Sequence, residues 1–546
     1  MSELDYINSK KNIILYLVLI LTFGLGLRFY YFPYDVPIVT DGFFSFVYAM
    51  QTVFDSSLPI GYTTTNSGWS NFLSLFFIFS DTSDPLHLMD IQRTLSIILS
   101  TITVIPAFFI FRRFVGVRWA LFGSFLLSVE PWLLLISLEG INYSLYFFLF
   151  VLTISLFLKK TNVSLLLSFA CIACATLVRY EGLLLLIPLS IMYFLKFKDK
   201  KSIIRFLGMI FIFMIILMPT AALRIQATEN ICYESFFGVI CGEDGIFEKV
   251  LSGPYFIEKY FISESPVLGD PAHEKTDKPM FDHFIFISIN NFVKFLGYST
   301  IPFFAFFILF SLGLIIKNRT FWKFDWDKKM ILLTAGIMLL PAIYAYGRGI
   351  EEVRYVLVAI PLICILSIYW TNIISEKISR DKKIIVILVI LVLISSVIFI
   401  EFNKRDSVLD RESYLISEKI IEITDVTNTF NKNGYIKTAV LTSNWPDLLE
   451  PDESGKLIHM FHKILSEDFG DIEHLITESR KDGLQYVVID ENTRLFADFR
   501  KNPSEYPYLD KVFDSDDYDF INHFRIYKIN YTILIKVTNS YGVRNI

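Results

Sequence analysis

Apolar residues in this chain come in long unbroken runs, not at the spacing of a surface helix or a half-buried strand. Read in order, the runs place candidate spans near 12–31, 92–111, 118–136, 142–158, 163–178, 182–196, 203–222, 297–316, 330–346, 355–372 and 383–400. A helix of about 20 apolar residues crosses a hydrocarbon core of about 30 Å with its backbone groups satisfied internally. The pattern predicts a mostly α fold, a polytopic transmembrane helix bundle of about 11 spans. The stretch 69–80 is too short to cross. Together with 43–54 it reads as helix lying in the interface, a depth that suits aromatic rings. The first run is too long for a cleavable signal, and Arg28-Phe29-Tyr30-Tyr31 stands where small residues would mark a cleavage site.

Basic residues orient the bundle. Lys10-Lys11, Arg112-Arg113 with Arg118, Lys159-Lys160, Lys196 to Lys201, Lys317 to Lys329 and Lys377 to Lys383 fall in alternate loops. The positive-inside rule puts those loops and the N-terminus in the cytoplasm. Asp41, Glu139, Arg179-Tyr180-Glu181, the loop 223–296 and Arg348 to Arg354 then lie outside, and an odd number of spans brings the C-terminus outside too. Composition agrees: 53% of residues are hydrophobic and 19% charged, where soluble chains carry about 25% charged residues. The net charge of -5 gives no sign of a nucleic-acid partner. Of the five cysteines, Cys171, Cys174 and Cys364 lie in spans and read as packing residues. Cys232 and Cys241 share the outer loop and could form a disulfide.

From about residue 402 the composition becomes that of a soluble domain. The chain divides into 1–401, with outer loops 32–91 and 223–296, and 402–546, an extracellular α/β domain. Thr438–Thr442, Tyr486–Asp490 and Phe524–Ile529 read as strands, and Leu457–Leu465 and Ile472–Lys481 as helices. No Gly-rich phosphate loop or catalytic triad stands out. The acidic run Asp514 to Asp519 lacks EF-hand spacing and reads as a solvated turn. The loop 223–296 is long for a connection and is expected to cover a ligand site.

Chemistry concentrates on the outer face. Asp41 follows the first span; it could act as a general base or simply cap the helix that begins there. Arg179 suits bidentate phosphate contact, or pairing with Glu181. Arg354, with Arg348 nearby, stands at the start of a span, facing either a lipid phosphate or Glu351. Glu139 closes a tight outer turn. Asp41 and Glu139 could together hold a hard divalent cation, although no metal or other cofactor is assigned. His273 and His283 match no standard metal spacing.

The series Asp41-Gly-Phe-Phe-Ser-Phe-Val-Tyr48, Gln92-Arg93-Thr94-Leu95, Phe111-Arg112-Arg113, Ser128-Val129-Glu130-Pro131-Trp132, Arg179-Tyr-Glu181-Gly182 and Glu352-Val-Arg354-Tyr355 resembles the GT-C superfamily of integral-membrane glycosyltransferases. Within it, the likeness is to the dolichyl-phosphate-mannose–protein mannosyltransferase and ArnT-like group, over residues 12–400. The resemblance implies a hexosyltransferase taking a sugar from a polyprenyl-phosphate donor to a protein, lipid or glycan acceptor at the outer face of the cell membrane. Asp41 would be the base, Arg179, Arg354 and Arg348 the donor-phosphate ligands, and Glu139, Glu181 and Glu351 supporting acids. Two departures stand out. Gly42 follows Asp41 where the group commonly has an acidic pair, and Asn444-Trp445-Pro446-Asp447 lacks the Trp-Trp-Asp of oligosaccharyltransferases. The alternative reading is a polytopic transporter or lipid-linked-sugar flippase, which would place its charges near the membrane midplane.

Overall fold

A computed structural model describes residues 3–38, 41–54, 66–80, 84–199, 201–228, 280–305, 325–347, 349–378 and 381–405 of the helical part. Beyond it, the described residues are chiefly 438–440, 449–451, 457–459, 472–480, 484–490, 503–518 and 523–540. Arg348, Cys232, Cys241, His273 and most of the loop 223–296 lie outside these residues.

The first helices are α1 (Glu3–Tyr30), α2 (Asp41–Phe54), α3 (Gly68–Phe77), α4 (Pro85–Ile102) and α5 (Val104–Phe111). They are followed by α6 (Val117–Ser128), α7 (Pro131–Leu138), α8 (Tyr143–Lys159), α9 (Asn162–Val178), α10 (Leu186–Lys196) and α11 (Lys201–Thr228). The later ones are α12 (Met280–Thr300), α13 (Trp326–Met338), α14 (Leu340–Gly347), α15 (Ile360–Ile378) and α16 (Asp381–Asn403). Among the described residues, five helical segments are long and apolar enough to cross a membrane: Lys11–Tyr30, Pro85–Phe111, Lys201–Leu223, Trp326–Gly347 and Lys383–Asn403. The pair α6 and α7, bent by 43°, makes a sixth. The chain is a multi-pass membrane protein. Three expected spans appear as shorter apolar helices, Tyr143–Lys159, Asn162–Val178 and Val353–Tyr369.

Several boundaries differ from the sequence reading. The second span begins at Pro85, not near 92, because the Asp84 carboxylate accepts from Leu86 N at 3.2 Å and Pro85 occupies the first turn. The expected outer loop 223–296 is shortened at both ends, since α11 runs to Thr228 and α12 starts at Met280. Polar residues in α12 lowered its hydropathy; Ser288 and Asn291 are nonetheless buried within it. The expected span 118–136 is broken at Val129-Glu130. There the Glu130 side chain accepts from Leu133 N at 2.6 Å, capping α7 with Pro131 in its first turn.

Ionisable groups also lie inside the helical part. Arg28 and Glu130 are 1% and 0% exposed. Both serve the break, whose backbone groups have lost their helical partners. Arg28 Nη1 donates to Ser128 O at 2.8 Å, Ser396 Oγ donates to Val129 O at 2.5 Å, and Arg28 Nη2 donates to Ser100 Oγ at 3.0 Å. The bend is thus stitched to α1, α4 and α16. At the opposite ends of the helices, Lys160 pairs with Asp327 at 2.5 Å and lies 4.3 Å from the centre of the Trp326 ring, tying the α8–α9 turn to α13.

The C-terminal strands are β1 (Thr438–Val440), β2 (Leu449–Pro451), β3 (Leu457–His459), β4 (Tyr486–Asp490), β5 (Leu509–Asp514) and β6 (Phe524–Ile529). Four form one sheet in the order β1-β4-β6-β5, with β1 parallel to β4 and the rest antiparallel. Leu457–His459 is a strand paired with β2, where a helix was expected; its short apolar run carries no helical period long enough to decide. Helix α17 (Ile472–Ser479) packs Ile472 and Ile476 with Leu484, Val487 and Tyr508. The acidic turn is partly neutralised: Asp514 accepts from Lys511 at 2.7 Å and from Arg525 at 3.0 Å.

Candidate functional site

Asp41 opens α2, whose buried face (Phe43, Phe46, Val47, Met50) packs into the helical core. Burial of that face fixes where the carboxylate stands. Its Oδ2 accepts from Arg354 Nη1 at 2.5 Å, joining positions 313 residues apart. Arg354 sits on a 3₁₀ turn, Val353–Ala359, that leads directly into α15. Tyr346 Oη holds the entry to this turn by donating to Glu352 O at 2.8 Å. The Glu352 carboxylate lies against the Nε side of the same guanidinium, so Arg354 bridges two carboxylates. The Arg354 side chain is 19% exposed and that of Asp41 55%, which leaves the contact open to solvent on the Asp41 side.

Arg179 ends α9 in extended conformation and is followed by a 3₁₀ turn, Tyr180–Leu185. That turn returns Glu181 to it: Arg179 Nη2 donates to Glu181 Oε1 at 2.7 Å, and Nη1 to Asn142 Oδ1 at 3.3 Å. Both side chains are largely buried. Burial alone would lower the Arg179 guanidinium, but the charge and hydrogen bond of Glu181 hold it above its ordinary value. Arg354 and Tyr355 both contribute to the electrostatic environment of Arg179. Of the three residues singled out from sequence, Asp41 and Arg354 are in contact, and Arg179 lies within electrostatic reach of Arg354.

Glu139 stands at the end of α7. Its side chain is exposed, yet protein crowds around it, the environment of a carboxylate in a recess. Burial pushes it up to about 7; Arg354 and Arg405 pull the other way, and the charges of Glu352 and Asp41 add to the rise. Glu139, Asp41, Glu352, Arg354 and Arg405 thus share one electrostatic field. The sequence reading gave no role to Glu352 or Arg405, although Glu352 lies two residues before Arg354. Glu351, one of the two partners open to Arg354 in the sequence, pairs with Lys294 at 2.6 Å. Among the described residues no group of three His, Cys, Asp or Glu is arranged to hold a metal. Asp41 Oδ2 is engaged by Arg354.

No family model matches this chain, and no curated protein matches its sequence. Solved structures do match. The oligosaccharyltransferase of Archaeoglobus fulgidus in complex with zinc and sulfate superposes with a TM-score of 0.55 at 13% identity, over 93% of this chain and 74% of that one. AglB of the same organism, with an inhibitory peptide and a dolichol-phosphate, gives 0.54 at 13% identity, over 88% and 70%. ArnT from Cupriavidus metallidurans, bound to undecaprenyl phosphate, gives 0.52 at 12% identity, over 93% and 97%. At these identities the likeness is one of fold.

Proposed function

We propose that this membrane protein, which has the fold of the GT-C glycosyltransferases, transfers a sugar from a polyprenyl-phosphate-linked donor to an acceptor at the outer face of the membrane. The observation that carries the reading is the meeting of Asp41 with Arg354, with Arg179 close by, on a fold whose solved examples hold dolichol-phosphate and undecaprenyl phosphate. Such donors are half apolar chain and half phosphate, so their reacting bond lies at the boundary where these side chains stand.

In this reading the prenyl chain lies along the apolar helices and its phosphate faces Arg354 and Arg179. Asp41 takes the proton from the acceptor nucleophile as that atom attacks the anomeric carbon. The bond from that carbon to the phosphate oxygen breaks, and the leaving phosphate carries the electron pair away. Positive groups fixed beside that phosphate stabilise the charge it gains, most strongly where water is excluded. Arg354 serves both carboxylate and phosphate, so it fixes the distance between base and leaving group. Outward orientation of the site and of residues 402–546 follows from the alternation of basic loops and belongs to this proposal.

The test is transfer of labelled sugar from synthetic dolichyl-phosphate and undecaprenyl-phosphate hexoses by the purified chain in lipid nanodiscs, with the Asp41→Asn variant in parallel. General-base help is worth about 10²–10⁴-fold, so Asp41→Asn is expected to lose most turnover while eluting as wild type. Wild-type turnover in the variant would remove Asp41 from the chemistry. Accumulation of labelled donor inside sealed vesicles without any transfer would instead support transport.

A further inference from the structure

We infer that Gln92 is a positioning residue that sets the spacing between Asp41 and Glu139; the inference rests on the site reading above. Gln92 is 0% exposed on α4. Its amide nitrogen donates to Gly42 O at 2.9 Å and to Gly140 O at 2.8 Å. Those carbonyls belong to the residues immediately after Asp41 and Glu139. One rigid, planar –NH₂ with two donors therefore clamps two chain segments that meet nowhere in sequence, each a single residue from a site carboxylate.

The surroundings are built around this clamp. A Cβ on Gly42 would come within 2.9 Å of Glu139 O and 2.4 Å of Ile38 Cγ2. Only a glycine lets the start of α2 approach the Glu139 turn this closely. Gly140 has φ +68, a conformation that favours glycine, and its added Cβ would meet Ile38 Cδ1 at 2.8 Å. The neighbouring Arg93 donates to Leu138 O at 2.8 Å and to Val36 O at 3.1 Å, holding the chain on the other side of Glu139 and of the Asp41 loop. Trp69 Nε1 also donates to Gly140 O, at 3.1 Å.

Gln92 Oε1 is buried with no hydrogen-bond partner. A buried acceptor left unpaired is unfavourable, and a chain that only needed to fill this space could do so with methionine. What the amide supplies that methionine cannot is its pair of donors. Turning it over would set an oxygen against two carbonyl oxygens, so the two hydrogen bonds also fix its orientation. Because Trp69 still serves Gly140 O, removing the amide loosens the Asp41–Glu139 spacing without emptying the fold.

The experiment compares Gln92→Met, Gln92→Glu and Asp41→Asn with wild type in nanodiscs. It measures sugar transfer from the synthetic polyprenyl-phosphate hexoses, dolichyl-phosphate binding, and amide hydrogen exchange. Misplacing a reacting group by about 1 Å can cost about 10²-fold in rate. Gln92→Met is expected to lower kcat about 10–100-fold on that basis, with KM for donor and the dolichyl-phosphate Kd within about twofold, because Arg179 and Arg354 stand on other elements. Gln92→Glu, kept protonated by burial against two carbonyl oxygens, offers one donor in place of two and should fall between wild type and Gln92→Met. Hydrogen exchange should quicken at 138–142 and at the start of α2 in both variants and remain as in wild type elsewhere. Wild-type kcat in Gln92→Met, a loss confined to KM, or unchanged exchange at those two segments overturns the proposal. If Asp41→Asn is inactive while Gln92→Met is not, only the positioning role fails. If Asp41→Asn transfers normally, the site reading fails with it. The exchange measurement decides the clamp even with a donor that is not turned over.

Discussion

Replacing Arg354 by glutamine separates what the Asp41–Arg354 contact contributes to stability from what it contributes to chemistry. Two unit charges 4 Å apart attract by about 4 kcal/mol at an effective dielectric constant of about 20. The Asp41 side chain is 55% exposed, however, and solvent-exposed pairs contribute only about 0–1 kcal/mol once water screens them and side-chain entropy is counted. Glu352, 43% exposed, loses the same partner but remains hydrated. Arg354→Gln should therefore cost about 1 kcal/mol of stability or less. A donor aimed at charge that develops in the transition state is worth about 10²–10³-fold in kcat, roughly 2.7–4 kcal/mol. The rate should thus fall several times further, in free energy, than the fold does. Arg354→Lys keeps a point charge without the planar fork and should lie between the two. Labelled-sugar transfer and fluorescence-detected melting on the same nanodisc sample give both quantities. A variant that transfers at the wild-type rate, or that loses rate only as it loses folded protein, would show that Arg354 is a structural partner of Asp41 and nothing more.

Two further outcomes follow from the buried and crowded charges. Arg28→Leu removes the donor to Ser128 O and Ser100 Oγ at the α6–α7 break, and a buried acceptor left unpaired costs about 1–3 kcal/mol. Melting of Arg28→Leu at the wild-type temperature would show that the break does not depend on these bonds. Glu139 is raised from its ordinary value to about 7, so the folded state holds its proton more tightly than the unfolded chain does. The stability this contributes is complete below about 4.5, is lost as pH rises towards about 7, and changes no further above that. Glu139→Gln cannot ionise, so its melting temperature should gain on wild type between pH 5 and 7 and keep a constant lead up to pH 8. Parallel melting curves across that range would mean the folded chain does not hold the Glu139 proton.

How much of the site could be read in the string depends on the distance between partners. Arg179 and Glu181 lie two residues apart, and their pairing was already an open choice in the sequence; the 3₁₀ turn only closes it. Glu130-Pro131 carried a capping signal that an unbroken hydropathy window passed over, and the break appears where that signal stands. Asp84-Pro85 is the same case at the start of α4. By contrast, the choice of Glu352 over Glu351 as Arg354's partner rests on which way a 3₁₀ turn faces, and adjacent residues give hydropathy nothing to distinguish them.

By itself, the chain determined its solvent. Apolar runs too long for a soluble core commit it to a membrane, because backbone groups in lipid must be satisfied within each helix. It also determined that most charge collects near helix ends. Tertiary structure alone decided which of those ends meet. Asp41 and Arg354 are brought together by packing among helices from opposite ends of the bundle-forming sequence. The two glycine-lined seams that Gln92 clamps exist only once three separate segments are in contact. Hydrophobic burial specifies that helices associate but is non-directional. Directional hydrogen bonds and close approach of backbones, neither of them written in hydropathy, set the positions of the side chains.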